Sequence, residues 1–514
     1  MTMASRSDDL LVHDWIAEHA FRTPEKPATI DLHSGRRHSY AQMHARVAGL
    51  AGHMRSLGIE QGDRVGLLAL NSSDFLDALF ACWRIGAVCT TLNFRLTAHE
   101  LAFMVKDSGC RLVFHDSDLA AVVTALKTMT NLDHWIEIDA SGSGGAFESA
   151  IARAEPVWVQ SPQRESDLCM IMYSSGTTGT PKGVMFNHGQ FFFINAGSMG
   201  MSGASAAMVG LVALPLFHIG GLVAYTTIAL GAGGTVVIER SFEAGRLLDT
   251  FDSADLGVTH FLGVPAMFNA MQSHPKFATT DFSRMVTMAC GAESVPESLL
   301  RSWHERGVAI REGYGMTETC AACLMLEARD VPGKIGSAGK PVRHCQAMIA
   351  RPDGSEAAPG ELGEIWMRGK NITPGYWNRP DANASSFVNG WFRSGDIGRR
   401  DADGYFYVED RVKDMYISGG ENVYPAEIEN ILYDIPAIRE VAVIGLPDAK
   451  WGETGCVVAA LNDSGTLTLA EVQAHCRERL ARFKHPARLE IVDALPRNAT
   501  GKVLKFELRA MFAR

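Results

Sequence analysis

The stretch from Met172 to Val184 constrains this chain more than any other. It reads Met-Tyr-Ser-Ser-Gly-Thr-Thr-Gly-Thr-Pro-Lys-Gly-Val. An apolar run over residues 168–172 feeds a turn that holds three glycines, five hydroxyl side chains, one proline and one lysine. Glycines let the backbone turn its N–H groups inward, and such a nest is a natural anion site. The hydroxyls of Ser174, Ser175, Thr177, Thr178 and Thr180 add donors, and Lys182 adds a fixed positive charge. The inventory suits a polyphosphate. It is not the Gly-x-x-x-x-Gly-Lys-Ser/Thr loop, because Pro181 precedes Lys182 where that pattern demands glycine. A flexible surface loop of similar composition would need neither the apolar lead-in nor the embedded lysine.

The bulk numbers bound the setting of this loop. At 514 residues there is room for about two to four domains and a large core. Hydrophobic residues make up 46% and charged residues 21%, the balance of a soluble α/β enzyme. A net charge of −10 without any basic block disfavours nucleic acid or an anionic membrane as partner. The N-terminus lacks a positive region followed by an apolar one, so no export signal is expected. Ten cysteines without framework spacing fit a reducing cytoplasm. Cys320 and Cys323 have no second pair to complete a zinc site, and are expected as small wall residues of a pocket. Residues 183–238 contain no Asp, Glu, Lys or Arg. Pro215 and the glycine pairs at 220–221 and 233–234 interrupt that run, so a buried core beside a site is expected there rather than a membrane span.

Apolar periodicity organises the rest. Helices are expected at 40–57, 74–86 and 97–108, alternating with strands at 64–70, 87–92 and 111–114. Further strands are expected at 209–214, 234–238 and 285–288. This rhythm implies a mostly parallel sheet with helices on its faces. From about residue 340 to 410 the segments shorten around Pro352-Asp353-Gly354, Pro359-Gly360 and Ala402-Asp403-Gly404, as in an antiparallel β unit. Beyond Arg411 come a hairpin-like Gly419-Gly420 turn, a helix at 425–432, strands at 441–444 and 456–461, a helix at 469–480 and a strand at 489–492. The expected organisation is a large α/β domain, residues 1–410, made of mostly parallel sheets plus a small β unit. A small α+β domain, residues 411–514, follows it.

Four further segments carry chemistry. Pro215-Leu216-Phe217-His218-Ile219-Gly220-Gly221 follows a strand, so Phe217 and His218 are placed to line a cleft. In Arg311-Glu312-Gly313-Tyr314-Gly315-Met316-Thr317-Glu318-Thr319 the tyrosine suits stacking on a base, Thr317 a phosphate oxygen, and Glu318 Mg²⁺. Asp396, after the turn at Ser394-Gly395, suits the two hydroxyls of a ribose. Near the C-terminus, Arg497-Asn498-Ala499-Thr500-Gly501 presents Lys502 on a turn.

In order and spacing these segments resemble the core motifs of the adenylate-forming superfamily over nearly the whole chain, with Leu92-Asn93 to Gly109 as a weaker upstream motif. The phrase Gly419-Gly420-Glu421-Asn422-Val423-Tyr424-Pro425-Ala426-Glu427 is similar to that of fatty and aryl-CoA ligases. The resemblance implies that Tyr173, Ser174, Ser175, Gly176, Thr177, Thr178, Gly179, Thr180 and Lys182 hold the phosphates of ATP. It sets Thr177 and Glu318 near Mg²⁺. It frames the adenine with Gly291, Ala292, Glu293, Glu312, Gly313 and Tyr314, and adds Gly315, Met316 and Thr317 to the nucleotide site. It gives the ribose to Asp396 and Arg411, and makes Lys502 the bridge between α-phosphate and acyl carboxylate. Lys182, Thr317, Glu318 and Lys502 are then the catalytic set, and His218, Gly220, Gly291 and Met316 shape the acyl pocket. It further implies that the small domain rotates about a hinge at Lys413 between half-reactions. Gly419, Gly420 and Trp451 would then meet the pantetheine arm of coenzyme A.

The implied reaction is ATP-dependent adenylation of a carboxylic acid, then transfer to coenzyme A. A carboxylate is ionised at pH 7, its ordinary pKa being about 4, so attack on the α-phosphate needs no general base. It needs charge neutralisation and alignment. His218 stands where an amino-acid-activating relative carries aspartate, and the charge-free run offers no cation for a second carboxylate. The expected substrate is therefore a monocarboxylic acid with an apolar or aromatic tail, with Phe191, Phe192, Phe193 and Met316 among its walls. Glu293 and Arg311 stand against this, since either could face the cavity. Two alternatives stay open: an acyl-AMP ligase that loads a carrier protein, and a non-catalytic nucleotide-binding protein. Small molecules are the expected partners, and a homodimer is compatible with this reading.

Overall fold

The protein is described here by a computed structural model over residues 10–142, 144–174, 181–292, 295–411, 414–418, 421–448, 451–462, 465–477, 479–497 and 502–513. Among the described residues the chain builds four sheets. A six-stranded sheet has the order His134–Ile138, Cys110–Asp116, Arg64–Leu68, Val88–Thr91, Leu168–Ser174, Lys182–Asn187. Its strands run parallel except the last, which turns back antiparallel on Leu168–Ser174. A nine-stranded sheet runs from Lys340–Pro341 and Ala321–Met325 through six central strands to Arg37–Ser39. The six are Ile310–Met316, Thr287–Gly291, His260–Gly263, Val209–Val212, Thr235–Ile238 and Pro27–Asp31, all parallel.

Local sequence explains where the connecting helices start and stop. Tyr40–Ser56 begins at Ser39, which forms a reciprocal capping box with Gln42. Thr97 and Glu100 do the same for Ala98–Ser108, and Gly109 ends it at φ +69°, in the left-handed region glycine favours. Asn187 and Gln190 open His188–Ser202. The helices expected at 40–57, 74–86 and 97–108 thus lie within a residue of the observed ones, whereas the one expected at 469–480 ends earlier, at Leu469–Arg477, and the strand expected at 285–288 is displaced to Thr287–Gly291.

The third sheet is antiparallel: Cys345–Ala350, Gly363–Gly369, Trp391–Arg400 and Phe387–Val388, with Phe406–Arg411 added beside Trp391–Arg400. The fourth consists of Glu421–Val423, Tyr416–Ser418, Gly452–Leu461 and Ile438–Asp448, with Arg488–Ile491 parallel to Gly452–Leu461. Its strands are longer than the expected 441–444 and 456–461. Both faces of its long hairpin are covered: Val441 and Val443 enter one apolar cluster with Ile428 and Val472, while Ala442 and Ile444 enter another with Val458 and Leu508. Double-sided burial is why residues 441–444 read as an unbroken apolar run.

The largest core lies around the six-stranded sheet and reaches Val236, Ala289 and Leu324 of the nine-stranded one. A second, aromatic core of Phe251, Phe261, Phe268 and Trp303 packs on the nine-stranded sheet. The charge-free run 183–238 is divided among strands and short helices of this interior. No helix among the described residues is long and apolar enough to cross a membrane.

Candidate active site

A cavity of about 640 Å³ opens where these parts meet. The strands at 168–174 and 182–187 bring Tyr173, Ser174 and Lys182 to it, with Ser174 opposite Lys182 in the ladder. The adjacent ends of Thr287–Gly291 and Ile310–Met316 bring Gly291, Ala292, Gly313, Gly315 and Met316. The antiparallel sheet contributes Phe392 through Asp396, and the C-terminal part of the chain contributes Lys502. Glycine is required at two of these positions by close backbone approach. A Cβ on Gly291 would stand 2.5 Å from the Gly313 carbonyl oxygen, and one on Gly315 would stand 2.0 Å from that of Ala321.

Thr317 and Glu318 leave the strand on a single tight turn, closed by the Met316 N–H donating to Thr319 Oγ1 at 2.8 Å. Glu318 is then fixed twice. The Tyr376 hydroxyl donates to Glu318 Oε1 at 3.0 Å, and the Thr373 N–H donates to the Glu318 carbonyl at 2.7 Å. Burial, then the Glu318 charge, holds the Tyr376 phenol well above its ordinary pKa, so it stays a donor. Lys182 Nζ lies 5.2 Å from the centroid of that same ring. One aromatic thus places both an acid and a cation. Tyr376 was not anticipated; the Pro374-Gly375 turn before two adjacent aromatics was the signal available for it.

Asp396 is buried, and its Oδ2 accepts from the Tyr314 hydroxyl at 2.6 Å. Burial and then the neighbouring Asp396 push the Tyr314 phenol far up. Asp396 also pairs in register with Arg411. Tyr173 lines the cavity, but its hydroxyl donates to Asp107 Oδ2 at 2.8 Å, and Arg379 binds the other oxygen of Asp107 at 2.7 Å. His218 lines the cavity with Phe217 and Gly220, and its Nδ1 accepts from the Gly220 N–H at 3.4 Å. Burial first, then the Arg95 charge, lowers its pKa to about 4. The imidazole is therefore neutral at physiological pH.

Several expectations are corrected. Glu312 does not line the cavity: it is buried behind it and accepts from the Gly336 N–H at 2.8 Å. Burial, with Glu297 nearby, raises its pKa to about 8. Phe191 packs on Trp83 and Phe186, Phe193 packs on His344, and Phe192 is exposed. The face that reaches the cavity is one step further round the helix, through Ile194 and Ser198. Cys320 and Cys323 lie buried, while the residues between them, Ala321 and Ala322, form the wall. Arg311 is buried away from the cavity and donates to the Leu326 and Met201 carbonyls at 2.8 Å each. Ser175, Gly176, Thr177, Thr178, Gly179, Thr180, Glu293, Lys413, Gly419 and Gly420 lie outside the described residues. Trp451 is 46% exposed and does not line the cavity.

The donors suit Mg²⁺. Among the described residues no cluster of three His, Cys, Asp or Glu side chains stands ready for a metal. Of the carboxylates that line the cavity, Glu318 is the one that shares Tyr376 with Lys182. That suits an ion that keeps its waters and takes its other ligands from phosphate oxygens.

Residues 16–377 match the family described as AMP-binding enzyme, and residues 427–502 match the AMP-binding enzyme C-terminal domain. The chain belongs to this family of adenylate-forming enzymes. It is 40% identical to a feruloyl-CoA synthase of Amycolatopsis sp, over 97% of this chain and 98% of that one. It is 37% identical to an indoleacetate–CoA ligase of Aromatoleum aromaticum, over 98% of each. Among solved structures, o-succinylbenzoate CoA synthetase from Bacillus subtilis in complex with its acyl-adenylate intermediate superposes with a TM-score of 0.87. Identity there is 32%, over 97% of this chain and 98% of that one. The same synthetase is also known with ATP and magnesium ion. The chain is accordingly an ATP-dependent, AMP-forming acyl-CoA synthetase.

Proposed function

We propose that this enzyme activates a monocarboxylic acid with an aryl or other apolar tail, of the cinnamate-like or medium-chain kind. The observation that carries the reading is the composition of the cavity. Its charged lining is Lys182 and Glu318 beside Tyr376, Glu364, Arg393 and Asp396 of the antiparallel sheet, and Lys502 of the C-terminal part. Much of the remaining wall is apolar, with Phe217, Leu262, Val264, Ile228, Ala289 and Met325 beside the neutral His218, and among the described residues it holds no further Lys or Arg. A second carboxylate buried there would lack a partner and cost several kcal/mol, whereas each buried CH₂ contributes about 0.8 kcal/mol. The aryl acids named for the feruloyl and indoleacetate relatives fit this wall.

In the reaction, one carboxylate oxygen attacks the α-phosphorus of ATP, the bond to the β-phosphate oxygen breaks, and diphosphate leaves. Lys182 and Lys502 offset the charge gathered between the two anions, Tyr376 holds Glu318 in position, and Asp396 takes the ribose. Mg²⁺, when bound, supplies further positive charge at the phosphates. The coenzyme A thiol then attacks the acyl carbonyl and AMP leaves. Residues 1–410 and 411–514 are read as two domains, with Lys413 as hinge. The second half-reaction brings Gly419, Gly420 and Trp451 to the pantetheine arm. The separate hydrophobic clusters of the fourth sheet and the exposure of Trp451 support this reading. The cytoplasm is its proposed location, given ten free cysteines.

Coenzyme A-dependent AMP release over a panel of acids is the test. At least about a hundredfold higher kcat/KM is expected for a cinnamate-like or medium-chain acid than for malonate. Malonate or succinate as the best substrate would overturn the proposed tail while leaving adenylation in place.

A further inference from the structure

Asp107 puts an acid where a helix disfavours one. It is the last residue but one of Ala98–Ser108, and a negative charge there opposes the helix dipole. Its partners supply the reason. The Tyr173 hydroxyl donates to Oδ2 at 2.8 Å, the shorter of its two contacts, the other being the Met104 carbonyl at 3.3 Å. Arg379 Nη2 donates to Oδ1 at 2.7 Å, and Trp377 Nε1 donates to the Asp107 backbone carbonyl at 2.9 Å. The Asp107 and Arg379 side chains are only 13% and 25% exposed, so solvent screens the pair weakly. Burial, then the bond to Asp107 and its charge, holds the Tyr173 phenol well above its ordinary pKa, and it stays a donor.

These donors come from both sides of one ladder. Tyr173 precedes Ser174, and Ser174 faces Lys182 across the pair of strands. Trp377 and Arg379 belong to the segment laid along the Lys182 strand. There Tyr376 bridges Val184, the Met185 N–H donates to the Gly375 carbonyl at 3.0 Å, and the Trp377 N–H donates to the Gly183 carbonyl at 2.7 Å. The two sides meet over Gly183, directly after Lys182. A Cβ on it would stand 3.3 Å from the Tyr173 ring and 3.4 Å from the Trp377 side chain. Both side chains run on from there to Asp107. Tyr173, Ser174, Lys182 and Tyr376 line the cavity, whereas Asp107, Trp377 and Arg379 do not.

We infer that Asp107 is a positioning residue of the first half-reaction. It ties the strand ending in Ser174 to the segment that backs Lys182 and Glu318, and so sets the spacing of the groups that face the phosphates of ATP, without touching the nucleotide. This rests on Lys182 facing those phosphates, and not on the identity of the acid.

The test is calorimetric titration of ATP with Mg²⁺, and of AMP, into the wild type, Asp107→Ala, Asp107→Asn and Tyr173→Phe, with Lys182→Ala as reference for the phosphate end. Asp107→Ala is expected to weaken ATP about tenfold and to leave AMP within about twofold, since a lost charge-assisted bond shifts an arrangement by about that factor. The KM for ATP should rise in parallel. Tyr173→Phe keeps the ring and removes only the hydroxyl. It should show the same split between ATP and AMP, and its loss should not multiply with that of Asp107→Ala in the double variant. Asp107→Asn keeps an acceptor for the phenol and should lose less, about threefold on ATP. These two milder variants decide the matter even if Asp107→Ala fails to fold. ATP and AMP weakened alike would make Asp107 a support of the fold only, and overturn the inference. A loss of ATP affinity in Lys182→Ala alone would overturn it too, while leaving the phosphate reading in place. Unchanged ATP affinity in Lys182→Ala would overturn that reading and the inference with it.

Discussion

Lys502 lines the same cavity as Lys182, Glu318 and Asp396 although it follows them by more than a hundred residues. In the proposed reaction it stabilises charge in the first transition state only. Lys502→Ala is therefore expected to suppress acyl-AMP formation by a factor of hundreds, since one such donor is worth roughly 3–4 kcal/mol. Thioester formation from supplied acyl-AMP should be spared. Diphosphate exchange and single-turnover thioester assays separate the two, and equal losses in both would remove the two-conformation scheme. Glu312 gives a prediction of a different kind. Its pKa, about 8 when folded against 4.5 for an unperturbed glutamate, means that folding disfavours the ionised form. Below about pH 4.5 the group is neutral in both states and costs nothing. The penalty builds as pH rises and is complete above about 8. Glu312→Gln should thus gain melting temperature relative to the wild type between pH 5 and 9, and a constant difference would refute the shift. At this scale the sequence marked side chains whose chemistry is rare in their context, such as Glu318, Asp396, Lys182 and His218. It could not mark Tyr376 or Asp107, because their roles arise from partners 58 and 66 residues away. Nor could it tell that Glu312 faces away from the cavity while Glu318, six residues on, faces in.

The helix His188–Ser202 shows what periodicity does and does not decide. Its apolar content places it inside, yet nearly every face is buried, so no polar stripe tells which face meets a ligand. Tertiary packing turns Phe191 to Trp83 and leaves Ile194 and Ser198 to the cavity. Ser198→Leu should therefore shorten the acyl site. A fall of about tenfold or more in kcat/KM is expected for an aryl acid, with a short acid such as propionate affected least and the KM for ATP within about twofold. Uniform loss over all acids would mean that the helix supports the site without shaping it. The long hairpin of Ile438–Asp448 and Gly452–Leu461 was read short for another reason: Gly445, Pro447 and Gly455 resemble punctuation. Gly445 and Gly455 are instead where the Tyr416 ring crosses, a Cβ on either meeting that side chain at 2.3 or 2.4 Å.

At the scale of the molecule, the alternation of helix and strand made the parallel sheets legible, and the short turn-rich segments made the antiparallel one legible. The spatial order of strands was not, because crossover connections place sequence neighbours apart: Thr235–Ile238 lies beside Pro27–Asp31. The proposed rotation of residues 411–514 assigns Trp451 to the pantetheine arm alone. Trp451→Ala should raise the KM for coenzyme A about tenfold and leave those for ATP and acid nearly unchanged. An unaltered coenzyme A dependence would make it a surface residue only.

The two kinds of wall around the proposed acyl site differ in how they tolerate change. At Gly291 and Gly315 the backbone of the next strand occupies the space a side chain would need, so mutations there cannot reshape the site without moving the sheet. Ile194, Ser198 and Ile228 lie on helices, where a larger or smaller residue alters only the volume. A mutant library aimed at new acids has its productive variation confined to those helical positions. The strand side then behaves as a fixed template, and lineages that diverge in substrate would share one nucleotide seat while trading a few residues opposite it.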